Sequence, residues 1–363
     1  DMPPWTPCWP TDRRLNAADS APLVTNYLKA LDMRRKAHEM AALFGGKMPH
    51  PPTFVPGGIT TSAQAARITK YLAYLDELIP FITDVYLKDV QKLGEVYPEY
   101  SKYGAGVGNL LAFGVFSQDN AGKTFMKRGR IVKGNKEVQA VDLAAITEDV
   151  TYSWYDDKTN KLAPANGETL ALNPKEKAYS WLKAPRYQDL PYEAGPLARM
   201  VVNGDYTGGI SVYDRHLARA QEALKVANEL RVWAKQVQAG GPERVRRVTL
   251  PSTGTVSGLT EAPRGALGHW VQYTGGKISR YQIITPTCWN ASPRDSNGVR
   301  GPIEQALIGT PVKNTDEPIE VVRVIHSFDP CLACAVHVMR PGKDAKIVSI
   351  PHFHSEEEEH RHG

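Results

Sequence analysis

Two cysteines near the end of the sequence, Cys331 and Cys334, are the residues best suited to chemistry. They lie in the run Asp-Pro-Cys-Leu-Ala-Cys-Ala-Val-His at residues 329–337. Cysteines three positions apart on a helix or tight turn direct both sulfurs to one side, so both thiolates can bind one metal. Thiolates favour soft metals, and the metal itself drives loss of the thiol proton. The spacing therefore indicates metal binding or redox work.

Other roles for this pair depend on its surroundings. The chain has 4 cysteines in 363 residues, too few for a disulfide framework. A zinc site needs a second ligand pair, and neither Cys8 nor Cys288 has a partner at ligand spacing. A thioredoxin-like redox pair is expected in a β-α-β setting, which the pattern does not show. The spacing favours a metal, while a redox pair and two buried structural cysteines stay open as alternatives.

The run at residues 329–337 resembles the C-terminal signature Asp-Pro-Cys-x-x-Cys-x-x-His of nickel–iron hydrogenase large subunits. Other segments resemble the same family: Glu-Ala-Pro-Arg-Gly at 261–265, Gln-Ile-Ile-Thr-Pro-Thr-Cys-Trp-Asn at 282–290, Glu-Gln-Ala-Leu at 304–307, His-Ser-Phe at 326–328, Tyr-Ser-Trp-Leu-Lys-Ala-Pro-Arg-Tyr at 179–187 and Phe-Gly-Gly-Lys-Met-Pro-His at 44–50. The likeness runs from about residue 20 to residue 338.

The resemblance implies a Ni–Fe centre bound by two cysteine pairs, with an iron that carries CO and two cyanides. Cys331 and Cys334 match the C-terminal pair, with Cys334 as the expected bridge between the metals. The family's N-terminal Arg-x-Cys-Gly-x-Cys-x-x-x-His segment, with roughly the first third of a usual large subunit, is not in this sequence. We therefore expect a fragment, or a split subunit whose second polypeptide supplies the other pair.

The resemblance also assigns roles around the metals. Arg264 would place its guanidinium near them, to polarise or deprotonate bound hydrogen or to donate to a cyanide, and Asp329 is expected to pair with it. The expected catalytic residues are thus Arg264, Asp329 and Cys331. The pocket for the diatomic ligands would consist of Pro263, Arg264, Pro286 and Thr287. Without the resemblance, a Pro-Arg-Gly run favours a surface turn.

A second metal site follows from the same resemblance. His337 matches the family's Mg²⁺ ligand, and the backbone carbonyl of Ile283 would be a further contact. A histidine at a helix end is more often a structural donor. Cys288 is expected to be a buried small hydrophobe rather than a ligand.

The implied function is that of a nickel-dependent hydrogenase: heterolytic H2 oxidation or proton reduction, with electrons passed to an iron–sulfur small subunit. This chain carries no iron–sulfur cluster motif, so that partner would be obligatory. The alternatives are a metal-free hydrogenase-like subunit of a respiratory quinone-reducing complex, or an inactive fragment. Cys331, Cys334 and Arg264 argue against the metal-free alternative.

Several long periodic segments would position these residues. Apolar residues recur at helical spacing over residues 23–44, 62–93 (with Pro80 interrupting or restarting the helix) and 217–238. Hairpins are expected over 125–155 around residues 133–135, short strands over 248–284 and 321–325, a short helix from 302, and helix from 331 onward. The fold class is α+β: a mainly helical core, a long-helix bundle, with small peripheral β-hairpins or a small sheet.

The domain boundaries follow from these segments. We expect an irregular N-terminal arm over residues 1–22, a single partial large-subunit-like domain over 23–337, and an extension over 338–363 that is removed on maturation. The tail contains His352, His354, His360 and His362 around four glutamates, which is typical of a solvated polar run.

Composition limits the remaining functions. Hydrophobic residues make up 42% and charged residues 23%, as in soluble globular proteins. The formal charge of +5 comes without a basic block, so a nucleic-acid partner is not expected. No apolar run reaches the roughly 18 residues of a membrane helix, and the first residues show no signal-peptide pattern. The expected location is the cytoplasm or the periphery of the cytoplasmic membrane.

Overall fold

The computed structural model describes residues 12–119, 121–237, 239, 244–245, 249, 251–331, 336–338 and 346–348. Cys8, Cys334 and the four histidines of the tail lie outside these residues. The helices are α1 Ala17–Gly45, α2 Ala65–Phe81, α3 Leu87–Val96, α4 Pro196–Asn203, α5 Val212–Gln236, α6 Pro286–Asn290, α7 Pro302–Leu307 and α8 Ile319–Ser327. The strands are β1 Phe54–Val55, β2 Gly58–Ile59, β3 Leu110–Ser117, β4 Thr124–Ile131, β5 Ile146–Asp149, β6 Ala184–Tyr187, β7 Arg244–Val245, β8 Gly254–Ala262, β9 Gly265–Thr274, β10 Lys277–Ile284, β11 Val336–Val338 and β12 Lys346–Val348.

The first helix begins earlier than its hydrophobic period predicts. The side chain of Asn16 caps α1 by accepting the N–H of Asp19 at 2.8 Å. The expectation of an irregular arm is therefore wrong for residues 17–22, because this cap starts the helix and Pro22 lies inside it without ending it. The predicted glycine stop is confirmed, since Gly46 has a φ of 79° and its N–H donates to the carbonyl of Ala42.

The second helical segment continues through Pro80, which lies inside α2. A π-helical turn over Ile82–Tyr86 then leads into α3, so the irregularity falls just after the proline. Helix α5 begins at a capping box formed by Ser211 and Asp214. The long helices α1, α2 and α5 share a buried apolar cluster consisting of Met33, Met40, Leu75, Leu78, Phe81 and Ala227. The α+β class with a long-helix core is confirmed.

The strands form small antiparallel sheets. Strands β3 and β4 pair from Leu110–Ile131 to Ser117–Thr124, so the main hairpin begins before the predicted segment. Its turn is held by Asp119, whose carboxylate accepts the N–H groups of Ala121 and Lys123 at 2.9 Å. The chain does reverse again around residues 133–135, where Arg130 and Gln139 form a single bridge.

A three-stranded sheet in the order β10-β9-β8 leads directly to the predicted site residues. Its inner face contributes Trp270 and Ile284 to a second core cluster, which also contains Leu111, Phe113, Ile146, Tyr187, Tyr192, Ala194, Ala266 and Trp289. On its outer face, Val256 and Tyr281 both pair with Val271 in register, and they are 51% and 46% exposed. One side of this sheet therefore packs on the core, and the other is apolar and open.

Two expectations for the C-terminal part are wrong. Residues 321–325 belong to α8 rather than to a strand, because Glu320, Val324 and Ser327 are buried at helical spacing. Residues 336–338 form β11, paired with β12, so the helix expected from residue 331 onward is not continued there. Among the described residues, no helix combines the length and the apolar composition that crossing a membrane requires.

Candidate metal centre

The fold brings four predicted site residues to one place. Arg264 lies in the turn between β8 and β9, Thr287 in α6, and Asp329 and Cys331 just after α8. The Nε–H of Arg264 donates to the carbonyl oxygen of Asp329 at 2.8 Å, and its Nη2 lies 3.3 Å from Oδ1 of the same residue. The N–H of Cys331 donates to Oγ1 of Thr287 at 3.2 Å. The expected pairing of Arg264 with Asp329 is therefore present.

These groups are open to a ligand. Cys331 is exposed and carries a free thiol. The side chains of Arg264 and Asp329 are 38% and 46% exposed. Within the described part of the chain, hydrogen bonds use only the Nε–H and one Nη2–H of Arg264, so its other guanidinium donors remain available. A soft thiol and a permanent cation with unused donors thus share one surface.

The backbone at Asp329 directs the chain into this site. Asp329 has a φ of 50°, in the left-handed region that is uncommon for residues other than glycine. Its N–H donates to the carbonyl of His326 at 2.9 Å and so follows the end of α8. Such conformations cluster at functional sites because the surrounding structure must maintain them.

Two arginines of α5 hold the chain that precedes Asp329. Arg215 makes a buried bidentate ion pair with Glu193, at 2.7 and 2.8 Å, and lies over the ring of Phe328 at 3.7 Å. Nη2 of Arg219 donates to the carbonyl of Ser327 at 2.7 Å. Burial lowers the pKa of Arg219, although the nearby Tyr86 and Asp329 oppose this shift. The end of α8 is therefore fixed by cationic side chains that lie behind Asp329.

His216 lies between these arginines on α5. Burial lowers its pKa to about 4, and the charges of Arg219, Arg215 and His326 act in the same direction. Its Nδ1 is 3.5 Å from Nη1 of Arg219. The imidazole is therefore neutral in the folded protein at neutral pH.

Replacing His216 by glutamine is expected to reduce the loss of stability in acid. The unfolded histidine takes up a proton near its ordinary pKa of 6.5, while the folded one does so only near 4, so acid favours the unfolded chain. The folded protein therefore loses stability as the pH falls from 6.5 to about 4, by up to about 3 kcal/mol at 1.36 kcal/mol per pKa unit. Denaturant unfolding of the assembled wild-type and His216→Gln complexes at pH 7.5 and 4.5 tests this, and an equal loss of stability in both would contradict it.

The proposed pocket residues differ in burial. Pro286 and Thr287 are buried at the start of α6, whereas Pro263 is exposed in the β8–β9 turn. Within the described chain, residues 329–331 connect the β8–β9 turn to α6 through hydrogen bonds with Arg264 and Thr287. At the other end of α6, the buried Asn290 exchanges two hydrogen bonds with the backbone of Ala194, at 2.9 and 2.8 Å. Asn290 thus fixes the helix that carries Thr287, a role that sequence reasoning missed.

The predicted Mg²⁺ ligands are only partly described. Ile283 is 43% exposed on β10 and pairs with His269 of β9. His337 lies in β11, paired with Ile347. Among the described residues, no group of three or more His, Cys, Asp or Glu side chains could hold a metal ion. The Mg²⁺ site stays a prediction.

A buried polar cluster lies next to Ile283. Nζ of Lys183 is 3.6 Å from Oε2 of Glu148 and 3.2 Å from Oε1 of Gln282. Burial raises the pKa of Glu148. Cys288 is partly buried rather than fully buried and packs against the second core cluster, and desolvation raises the pKa of its thiol. Sequence reasoning missed Glu148 and Lys183, which belong to no recognised ligand spacing.

Comparison with known proteins places the chain in a family. The family model described as "Nickel-dependent hydrogenase" matches residues 9–209 and 205–337. The chain is 40% identical over 342 residues to the periplasmic [NiFeSe] hydrogenase large subunit of Desulfomicrobium baculatum, covering 87% of this chain and 66% of that protein. It is 35% identical over 395 residues to the uptake hydrogenase large subunit of Bradyrhizobium diazoefficiens, covering 90% and 66%.

Solved structures give the same result. A [NiFeSe] hydrogenase variant from Desulfovibrio vulgaris Hildenborough superposes with a TM-score of 0.87 at 37% identity, covering 92% of this chain and 74% of that one. The reduced, active form of the Ni-Fe-Se hydrogenase from Desulfomicrobium baculatum gives a TM-score of 0.85 at 38% identity, covering 91% and 74%.

The fold and the motifs define a hydrogenase large-subunit-like protein. The chain belongs to the nickel-dependent hydrogenase family, as the motifs predicted. It spans about two thirds of the length of the relatives it matches.

Proposed function

We propose that this chain is the C-terminal part of the catalytic large subunit of a Ni–Fe hydrogenase. The reaction would be heterolytic H2 oxidation or proton reduction, with electrons passed to an iron–sulfur small subunit. The observation that supports this most strongly is the convergence of Arg264, Asp329, Cys331 and Thr287 at one place, with the thiol of Cys331 exposed.

The residues present fit the proposed centre. Cys331 offers a free and exposed thiol, which as a thiolate is a soft metal ligand. The unused donors of Arg264 suit the negative ends of cyanide ligands. Cys331 and Cys334 would hold the metals, and His337 with the carbonyl of Ile283 would hold Mg²⁺. When bound, the Ni–Fe centre would supply the electrophilic site at which H2 is split.

The side chains of this protein would orient the groups at the metal centre and polarise bound hydrogen. The guanidinium of Arg264 is directed by the carbonyl and carboxylate of Asp329. Thr287 fixes the backbone of Cys331, and Pro286 adds an apolar wall. Donors held in place before the reaction stabilise developing charge without the cost of reorganisation.

A second pair of cysteines is needed to complete such a centre. The family's Cys-Gly-x-Cys segment is not among residues 1–363. We propose that this pair comes from polypeptide outside residues 1–363, either a further segment of the same subunit or a second chain that assembles with it. The compartment stays a prediction: the cytoplasm, or the periphery of its membrane.

Two other functions remain as alternatives, namely a metal-free subunit of a quinone-reducing complex and an inactive fragment. Elemental analysis of the purified complex separates them. We expect about one nickel per complex together with iron, and H2-dependent reduction of a dye. A well-folded complex without nickel would contradict the proposal and favour the metal-free alternative.

Replacing Arg264 by lysine is expected to lower turnover about 10²-fold or more, the size typical of losing one preorganised electrostatic group. Lysine is a point charge and cannot reproduce the planar fork that reaches both Asp329 and a ligand. Nickel and iron should stay bound, because Arg264 is not a metal ligand. Steady-state H2 oxidation and metal analysis test this, and turnover within about twofold of wild type would exclude a catalytic guanidinium.

A further inference from the structure

We propose that Arg199 of α4 is a positioning residue that holds the β8–β9 turn so that Arg264 faces the metal site. This inference rests on the proposed function. It concerns a residue without metal contact that belongs to none of the predicted site motifs.

The contacts of Arg199 point to this role. Its Nη1 donates to the carbonyl of Ala262 and its Nη2 to the carbonyl of Pro263, both at 2.9 Å. These are the last two peptide carbonyls before Arg264. Arg199 therefore binds the turn directly beside the residue whose guanidinium is proposed to act.

Two carboxylates fix the Arg199 guanidinium itself. Nε and Nη2 bind the two oxygens of Glu222 at 2.5 and 2.7 Å, and Nη1 binds Glu261 at 2.9 Å. Together with the two carbonyls, these partners use all five donors of a guanidinium. The side chain is only 5% exposed. Glu261 in turn accepts the N–H of Phe113 at 2.5 Å, which anchors the group to β3.

The electrostatics keep Arg199 charged. Burial opposes the charge, but Glu222 and Glu261 outweigh this effect and raise the pKa of Arg199. Burial raises the pKa of Glu261 to about 7, although Arg199 opposes the shift. A lysine offers three donors without the planar fork, so it cannot bind both carboxylates and both carbonyls.

The other side of the turn is held by backbone contact. A Cβ on Gly265 would lie 2.5 Å from the nitrogen of Gly195, and a Cβ on Gly195 would lie 3.4 Å from the carbonyl oxygen of Arg264. Gly195 precedes α4, and the N–H of Arg199 donates to its carbonyl at 2.9 Å. The segment from Gly195 to Arg199 thus holds the turn on both sides of Arg264, and the guanidinium of Arg264 is left to reach Asp329.

The chain contains a matched control. Arg186 is as buried as Arg199 and also uses its whole guanidinium, but for contacts away from the turn: the side chains of Asp295 and Ser292 and the carbonyls of Pro185, Pro293 and Val299. Loss of a buried arginine as such should affect both positions alike. A role through Arg264 should appear only at Arg199.

The experiment is a double-mutant cycle on the assembled, metal-loaded complex. Three single variants are measured: Arg199→Lys, Arg264→Lys and Arg186→Lys. Two double variants then combine Arg264→Lys with either Arg199→Lys or Arg186→Lys. The readouts are turnover, metal content and the infrared stretching bands of the CO and cyanide ligands. We expect Arg199→Lys to keep nickel and iron, to shift the cyanide bands as Arg264→Lys does, and to lower turnover about 10- to 100-fold. In the Arg264→Lys background, adding Arg199→Lys should lower turnover little further. Adding Arg186→Lys should lower turnover by the same factor as it does in the wild-type background.

The inference would be overturned if Arg199→Lys had the infrared bands and the turnover of the wild type. It would also be overturned if the losses of turnover in Arg199→Lys and Arg264→Lys simply multiplied in the double variant. If Arg199→Lys does not assemble, Glu222→Gln is measured instead. It weakens the hold on Arg199 while leaving both carbonyl contacts, so a smaller band shift in the same direction is expected, and unchanged bands would overturn the inference. Failure of the proposed function is distinguishable, since the wild-type complex would then lack nickel or H2 oxidation.

Discussion

Replacing Cys331 by serine is expected to abolish both nickel retention and H2 oxidation while leaving the complex folded. A hydroxyl is a hard and weakly acidic ligand that cannot replace a thiolate toward nickel. Cys331 is exposed, and the bond from its N–H to Thr287 belongs to the backbone, so serine should not disturb the local structure. Nickel content and H2-dependent dye reduction are the measurements. Cys334→Ser, at a position outside the described residues, is expected to behave in the same way.

Cys288→Ser is the matched control for this prediction. Cys288 is also a free thiol close to Thr287, but it packs against the core cluster, and its Sγ lies 3.2 Å from Oγ1 of Thr285. We expect this variant to keep its nickel and most of its activity. An active Cys331→Ser complex with stoichiometric nickel would refute the ligand assignment.

Residues 1–363 expressed alone are expected to be insoluble or to contain no stoichiometric nickel. Two thiolates from the Cys331–Cys334 motif would leave the metals with half of their protein ligands. The outer face of the β8–β9–β10 sheet, with Val256, Tyr281 and Ile283 exposed, also leaves apolar surface on the sheet whose β8–β9 turn carries Arg264. Such a surface favours aggregation unless another polypeptide covers it.

Co-expression tests the same prediction from the opposite side. With a polypeptide that bears a Cys-Gly-x-Cys segment, and with an iron–sulfur subunit, the chain should assemble and bind one nickel. A companion in which both cysteines of that segment are replaced by serine is the matched control and should give a complex without nickel. A stable, nickel-loaded and active preparation of residues 1–363 alone would show that the site is built differently.

The sequence predicted the long helices because their apolar residues repeat at helical spacing, as in α2 and α5. It failed at α8, where a run of valine and isoleucine favours a strand and burial of Glu320, Val324 and Ser327 decides for a helix. The grouping of Arg264 with Asp329 came from family motifs, since no local pattern links residues 65 positions apart. Arg199 was missed for the same reason: its role depends on Glu261 and Pro263, which only the fold brings close.

The contact between Gly195 and Gly265 restricts how this protein can be varied. Both residues have a φ above 130°, a backbone conformation that residues with a side chain rarely adopt. A methyl group on Gly265 would also lie within 2.8 Å of the backbone of Ala194 and Gly195. Flexible side-chain ends can turn aside, but two backbones cannot, so alanine at Gly265 has to displace the turn that carries Arg264. A substitution library aimed at the surroundings of Arg264 should therefore keep both glycines.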